Sequence, residues 1–235
     1  MIQSQNHIVQ SFNREIAALQ SVISQMGGLA EEQFHQAILS LREKNQALTE
    51  KVISTDKSIN DLQHQIDNES LRLIALRQPM ALDLRIILSS PKIGASLERI
   101  GDYTCNIAKR AQTLFKLPNY AIPAPLFTMA DIAEMILHDI LDGLMQHDLE
   151  ISMRAWERDI EVDKLHSSFT IETLDMMKKD PEQIVSGMHL LFIAKNIERI
   201  ADHATNIAEM AHFIIKGKHI DQKRPKYDTS SRTII

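Results

Sequence analysis

"ERIGDYTCNIA" at residues 98–108 returns as "ERIADHATNIA" at residues 198–208. Glu, Arg, Ile, Asp, Asn, Ile and Ala keep their places while the residues between them change. At about 100° per residue, Leu97, Ile100, Thr104, Ile107 and Ala111 gather on one side of a helix. Glu98, Asp102 and Asn106 fall nearly opposite. The second copy repeats the arrangement, with Ile197, Ile200, Ala204, Ile207 and Ala211 on the apolar side and Glu198, Asp202 and Asn206 across from them. The spacing predicts two equivalent helices whose acids lie on the solvated face.

The rest of the chain agrees with helix. Only 7 Gly and 7 Pro occur in 235 residues, about half the usual share, which leaves few positions for hairpins and tight loops. Aromatics are 5%, and Leu, Ile, Ala, Met, Glu, Gln and Lys dominate. The expected class is all-α. A single Cys105 excludes an internal disulfide framework and fits a reducing compartment. "MIQSQNHIVQSFNREI" carries neither a basic lead nor an apolar core, so it does not read as a signal peptide. No apolar run approaches the ~18 residues that span a bilayer. A formal net charge of −5 gives no electrostatic case for nucleic acid. A cytoplasmic protein is expected.

Three breaks divide the helical stretches. "KNQALTEK" lets a first helix, about residues 10–47, reverse; "RQPMALDLR" ends one helix and opens another around Pro79. "KLPNYAIPAPL" holds Pro118, Pro123 and Pro125 and reads as a linker. Further helices are expected over about 126–147, 150–178 and 182–216, the last opened by Asp180-Pro181, while Pro91 should bend its helix rather than end it. Aligning Asp56 with Asp159 superposes Val52 on Ala155, Ile59 on Val162 and Ile66 on Phe169. That offset is 103 (159 − 56), against 100 (198 − 98) for the later helix, a difference one turn can absorb. The chain therefore reads as two tandem three-helix bundles, residues 1–116 and 126–216, joined by a proline-rich linker at 117–125. A flexible tail follows over 217–235.

A single acidic motif reads as a charged surface stripe. Yet Glu and Asp four residues apart repel by ~0.2–0.5 kcal/mol in an isolated helix, and here the pair occurs twice. A bound cation would offset that repulsion. Asp159, Asp163 and His166 form a further row in the second half, matched by Asp56, Asn60 and Gln63 in the first. If these rows face the Glu/Asp rows, each half presents oxygen ligands with occasional nitrogen, suited to magnesium, manganese, iron or zinc.

These residues carry a resemblance. The doubled motif, "MGGLAEEQ", "RQPMALDLR", "DKSINDL" and "DIEVDKL" resemble the PhoU family, in order from about Phe12 to Gly217. The resemblance implies paired three-helix bundles, a cytoplasmic location, and a homodimer or higher assembly. It also implies negative control of high-affinity phosphate uptake and of the phosphate-starvation response. The family acts through the transporter's ATPase subunit, PstB, and the sensor histidine kinase PhoR. Some members hold multinuclear iron or zinc clusters on E/D-x-x-x-D rows. Carried over, those rows are Glu98 with Asp102, Glu198 with Asp202, and Asp159 with Asp163. Asp56 departs from the pattern, having Asn60 in second place.

Other signals point elsewhere. Glu32 with His35 and Glu209 with His212 form Glu-x-x-His pairs, the mark of a ferritin-like di-iron enzyme, but such ligands must project into the bundle. Both pairs fall away from the apolar faces. No nucleophile–base arrangement and no glycine-rich phosphate loop occurs, so the chain is not expected to be an enzyme. Arg77, Asp83 and Arg85 are expected to pair across their turn or to contact a partner.

Overall fold

The computed structural model describes residues 2–118, 120–222, 224, 226 and 227. Six long helices follow in order: α1 (Ile2–Glu43), α2 (Gln46–Arg77), α3 (Ala81–Leu114), α4 (Ala124–Gln146), α5 (Leu149–Lys179) and α6 (Ile184–Lys216). One turn of 3-10 helix, Pro181–Gln183, opens the last. Among the described residues there is no strand, and no helix is long and apolar enough to cross a membrane.

Helices α1, α2 and α3 pack on one another, and so do α4, α5 and α6. The two triplets meet mainly through α3 and α6, with a smaller contact between α1 and α4. Helices α3 and α6 run antiparallel. Arg85, near the start of α3, donates to the Ile214 carbonyl at 2.9 Å, while Arg110, near its end, stacks over Phe192 at 3.8 Å. Leu97, Ile100, Ile107, Ile197, Ile200 and Ile207 are all fully buried, as the periodicity of the doubled motif requires. Burying a side chain of this kind is worth about 1.5–3 kcal/mol, so the apolar stripes hold the halves together.

The first helix ends earlier than residue 47. Lys44 takes a left-handed conformation, and the Asn45 side chain caps α2 by accepting from the Ala47 and Leu48 amides. Such an N-cap satisfies donors that a helix start otherwise leaves unpaired. Residue by residue, 103 positions on, His147 is left-handed and Asp148 caps α5 through the Glu150 and Ile151 amides. The repeat thus includes its turns. Its offset changes from 103 to 100 at the next connection, where Gln78–Met80 link α2 to α3 but Asp180 and a 3-10 turn link α5 to α6. Helix α3 runs unbroken through Pro91.

Candidate functional site

Asp159 and Asp163 project from α5, and Glu198 and Asp202 from α6, onto the seam between those helices. Their charges act on one another: Asp163 and Asp202 push Asp159 up, and Asp202 and Asp163 push Glu198 up. The larger cause in both is burial. It carries Asp159 up to about 7, against the opposing pull of Arg224, and it raises Glu198 against its contact with Lys195. The Lys195 ammonium lies 2.8 Å from Glu198.

In the second half the acids do not form the expected solvated stripe. Asp159 keeps 1% of its exposure, and Asp163 and Glu198 are also buried. A helical wheel of α6 alone puts Glu198 opposite Ile200, but in a three-helix bundle the far side of one helix can still face a neighbour. Here that neighbour is α5, and the chain beyond α6 covers what remains.

That chain is the segment from Gly217, expected as a flexible tail. Its masked portion lies outside the described residues, but the described ones make specific contacts. Gly217 ends α6 in the left-handed conformation that glycine adopts without strain. Arg224 then hydrogen-bonds Asp202 and the Thr205 hydroxyl, and its Nε lies 3.4 Å from Asp159 Oδ2. Lys226 sits 3.2 Å from Asp202, and the Tyr227 amide donates to Asp163 at 2.9 Å. Asp159 Oδ2 nevertheless accepts no hydrogen bond.

In the first half, Asp56 from α2 meets Glu98 and Asp102 from α3. Burial raises Glu98, and the charges of Asp102 and Asp56 raise it further against the pull of Arg99. This row stays more open: the side chains of Glu98 and Asp102 keep 21% and 37% exposure. Arg99 pairs with Asp102 at 3.2 Å as its spacing predicts. Its counterpart Arg199 instead donates to the Tyr103 hydroxyl across the α3–α6 contact at 3.3 Å. Cys105, buried behind the row, is pushed up to about 12 chiefly by burial, so it is a neutral thiol at any ordinary pH.

The donor set fits a hard cation in chemistry. Carboxylate oxygens from two adjacent helices share a buried seam, two of them (Asp159 Oδ2 and Glu198 Oε2) without a hydrogen bond, and a cationic side chain already stands among them. Among the described residues, however, no three His, Cys, Asp or Glu side chains converge as a ligand set. In the second half the guanidinium of Arg224 stands between Asp159 and Asp202, hydrogen-bonded to Asp202 and at ion-pair distance from Asp159.

The remaining candidates separate. Glu32 accepts from Gln36, while His35 lies 3.5 Å from Glu134 on α4. Glu209 accepts from the Trp156 indole at 3.3 Å, and His212 Nδ1 lies 2.9 Å from the Lys218 carbonyl. Neither Glu-x-x-His pair converges on one point. Arg77 and Arg85 do not pair with Asp83: Arg77 forks onto Glu15 of α1 at 2.8 and 2.9 Å, and Arg85 reaches α6. Sequence reading missed the contribution of Arg224, Lys226 and Tyr227. Their only signal was three basic residues and an aromatic in "KRPKY", within a stretch lacking helical period.

Comparison with known proteins converges on one family. Residues 23–111 and 126–211 each match the PhoU domain. The "Phosphate-specific transport system accessory protein PhoU homolog" of Caulobacter vibrioides is 41% identical over 227 residues, covering 96% of this chain and 99% of the relative. "Phosphate-specific transport system accessory protein PhoU" of Escherichia coli is 32% identical over 212 residues, covering 90% and 88%. The crystal structure of PhoU from Pseudomonas aeruginosa superposes with a TM-score of 0.84 at 31% identity, over 88% of this chain and all of that one. The phosphate transport system regulatory protein PhoU from Streptococcus pneumoniae gives 0.83 at 29% identity, over 90% and 100%. Matched twice along its length and related throughout, the chain belongs to the PhoU family.

Proposed function

We propose that this chain is the accessory regulator of a phosphate-specific transport system. In this reading it restrains high-affinity phosphate uptake and the phosphate-starvation response when phosphate is plentiful. It acts in the cytoplasm, as a homodimer or larger assembly, by docking on the transporter ATPase PstB and the sensor kinase PhoR. The observation that carries the proposal is the full-length relation to accessory proteins of such systems. Apolar side chains left exposed at equivalent ends of the two bundles support a docking role. They include Leu76, Met80 and Leu88 beside the α2–α3 turn, and Ile184, Met188 and Phe192 at the start of α6. A regulator of this kind shifts its partner's equilibrium only by binding one conformation better than another.

The acid rows are proposed to hold metal ions, with iron, zinc, manganese and magnesium as candidates. Asp159, Asp163, Glu198 and Asp202 would serve in the second half, and Asp56, Glu98 and Asp102 in the first. A bound cation would neutralise carboxylates that burial and mutual repulsion hold up. No catalytic step is assigned, because the described residues offer no activated nucleophile and the one thiol is buried and protonated. The split Glu-x-x-His pairs give no support to a di-iron oxidase.

The test is a deletion strain grown in high phosphate beside its parent, with a phosphate-starvation reporter. Reporter expression and phosphate uptake should both stay high without the gene and return to normal when it is restored. Normal repression in the deletion strain would overturn the regulator reading.

A further inference from the structure

The tail beyond α6 uses three separate features to grip the acid seam. A guanidinium enters it, a lysine stands at its edge, and a backbone amide reaches the deepest carboxylate pair. Arg224 keeps only 10% of its side-chain exposure, although it lies outside any helix. Its Nη atoms hydrogen-bond Asp202 and Thr205, and its Nε faces Asp159. Lys226 adds a second positive charge against Asp202. The Tyr227 amide occupies an oxygen of Asp163 at 2.9 Å. Three of the four acids on the seam are therefore engaged by one short segment.

Burying carboxylates without a cation is costly, since each must be neutralised or paired. The tail supplies that cation from within the chain. The satisfaction is incomplete, because Asp159 Oδ2 lies at ion-pair distance from Arg224 but accepts no hydrogen bond. A divalent ion needs the same oxygens, and it cannot share them with a guanidinium standing between Asp159 and Asp202.

We propose that the C-terminal segment around Arg224 is a built-in competitor for the second-half metal site, so that binding a divalent cation at the α5–α6 seam expels the tail. This rests on the reading of that seam as a metal site. Linkage makes the exchange reciprocal: whatever factor the tail costs the metal, the metal costs the tail. Metal loading would thereby uncover a basic-aromatic segment that is folded down in the metal-free protein. The first half has no counterpart, because the chain after α3 continues through the linker into α4.

Manganese titration of the full-length protein and its Arg224→Gln variant tests this, with hydrogen exchange at the Tyr227 amide followed in parallel. In the unaltered protein, Mn²⁺ should bind at the second-half seam and strip the Tyr227 amide of its protection. Arg224→Gln should bind Mn²⁺ about tenfold more tightly and show a fast-exchanging Tyr227 amide before any metal is added. Arg224→Lys, which keeps the charge but loses the planar fork, should fall between. Because Arg224 compensates buried carboxylates, metal-free Arg224→Gln should unfold at a lower temperature than the unaltered protein and Arg224→Lys at one in between, each in a single cooperative transition that shows the fold is kept. Manganese binding that leaves Tyr227 protected, or that is no tighter in Arg224→Gln, would overturn the competition while leaving the metal site standing. No manganese binding by either protein would overturn the metal reading and this inference together.

Discussion

Asp56, Asn60 and Gln63 occupy in the first half the places that Asp159, Asp163 and His166 hold in the second, 103 residues on. The backbones agree down to the left-handed residue and the side-chain cap at each turn. The surroundings do not agree. In the second half Asp159, Asp163, His166 and Glu198 are all buried, whereas in the first half Asp56, Asn60, Gln63 and Glu98 are all partly open. The cause is topological. After α6 the chain is free to fold back over the seam it has just made, and after α3 it must cross to the other bundle. Equal helices therefore give unequal sites, and what decides is the chain that follows them.

The largest expected effect sharpens that contrast. Glu198→Gln with Asp202→Asn should weaken Mn²⁺ binding about 100-fold, equivalent to roughly 2.7 kcal/mol. Glu98→Gln with Asp102→Asn should remove only a weaker class of site, since Asn60 offers no charge to a hard cation where Asp163 does. Isothermal titration on both variants checks this. Equal losses, or tighter binding by the first half, would show that burial and charge count do not rank the sites.

A second contrast lies in the turns. A Cβ added at Gly143 would stand 2.2 Å from the Ser152 hydroxyl, 2.8 Å from the Asp148 carbonyl and 3.0 Å from the Ser152 amide, and the last two belong to the cap itself. The equivalent position in the first half is Ser40, which already carries a buried side chain. Gly143→Ala should cost about 1–3 kcal/mol despite its better helix propensity. Gly28→Ala, with nothing within 4 Å, should stabilise by about 0.5–1 kcal/mol. Denaturant unfolding gives both values, and a stabilised Gly143→Ala would mean that the α4–α5 turn yields where the close packing says it cannot.

The third contrast is in pH dependence. Asp159 is raised to about 7, so the folded chain holds its proton more tightly than the unfolded chain does. Its contribution is therefore full below the ordinary carboxylate range and is lost as pH rises toward 7. Asp159→Asn should flatten the decline in Tm between pH 4 and 7 by roughly 3–6 °C in metal-free protein. A Tm slope unchanged by this substitution would place the proton elsewhere.

The smallest effect concerns Gln33, buried in the first half where the second has Ile136. Its amide donates to the Val52 carbonyl at 3.0 Å, but its Oε1 accepts nothing. Removing an unpaired acceptor offsets the lost bond, so Gln33→Leu should change stability by less than about 1 kcal/mol. A loss well beyond that in urea unfolding would mark the Gln33–Val52 bond as a true structural link.

What was legible in the sequence is what depends on period. The doubled motif placed Ile100 and Ile200 in the core, and the prolines at 118, 123 and 125 marked the crossing between bundles. Asn45 and Asp148 were readable caps that would have ended α1 at Glu43, but the polar run "KNQALTEK" blurred the boundary. Depth was not legible. A wheel drawn on one helix cannot say whether its polar side meets water or another helix, which is why Glu198 looked exposed. Nor could a wheel reveal Arg224, whose position depends on a fold-back that has no period at all.

The antiparallel contact of α3 with α6 has a consequence for synthesis. Helix α3 is complete at Leu114, but its main partner in the other half is not complete until Lys216, 102 residues later. At about 5–20 residues per second, the ribosome leaves that apolar surface waiting on the order of 5–20 s. The first bundle must therefore hold its own shape on the ribosome with its docking face bare, and any nascent chain of this kind is a natural client for a holdase until α6 arrives.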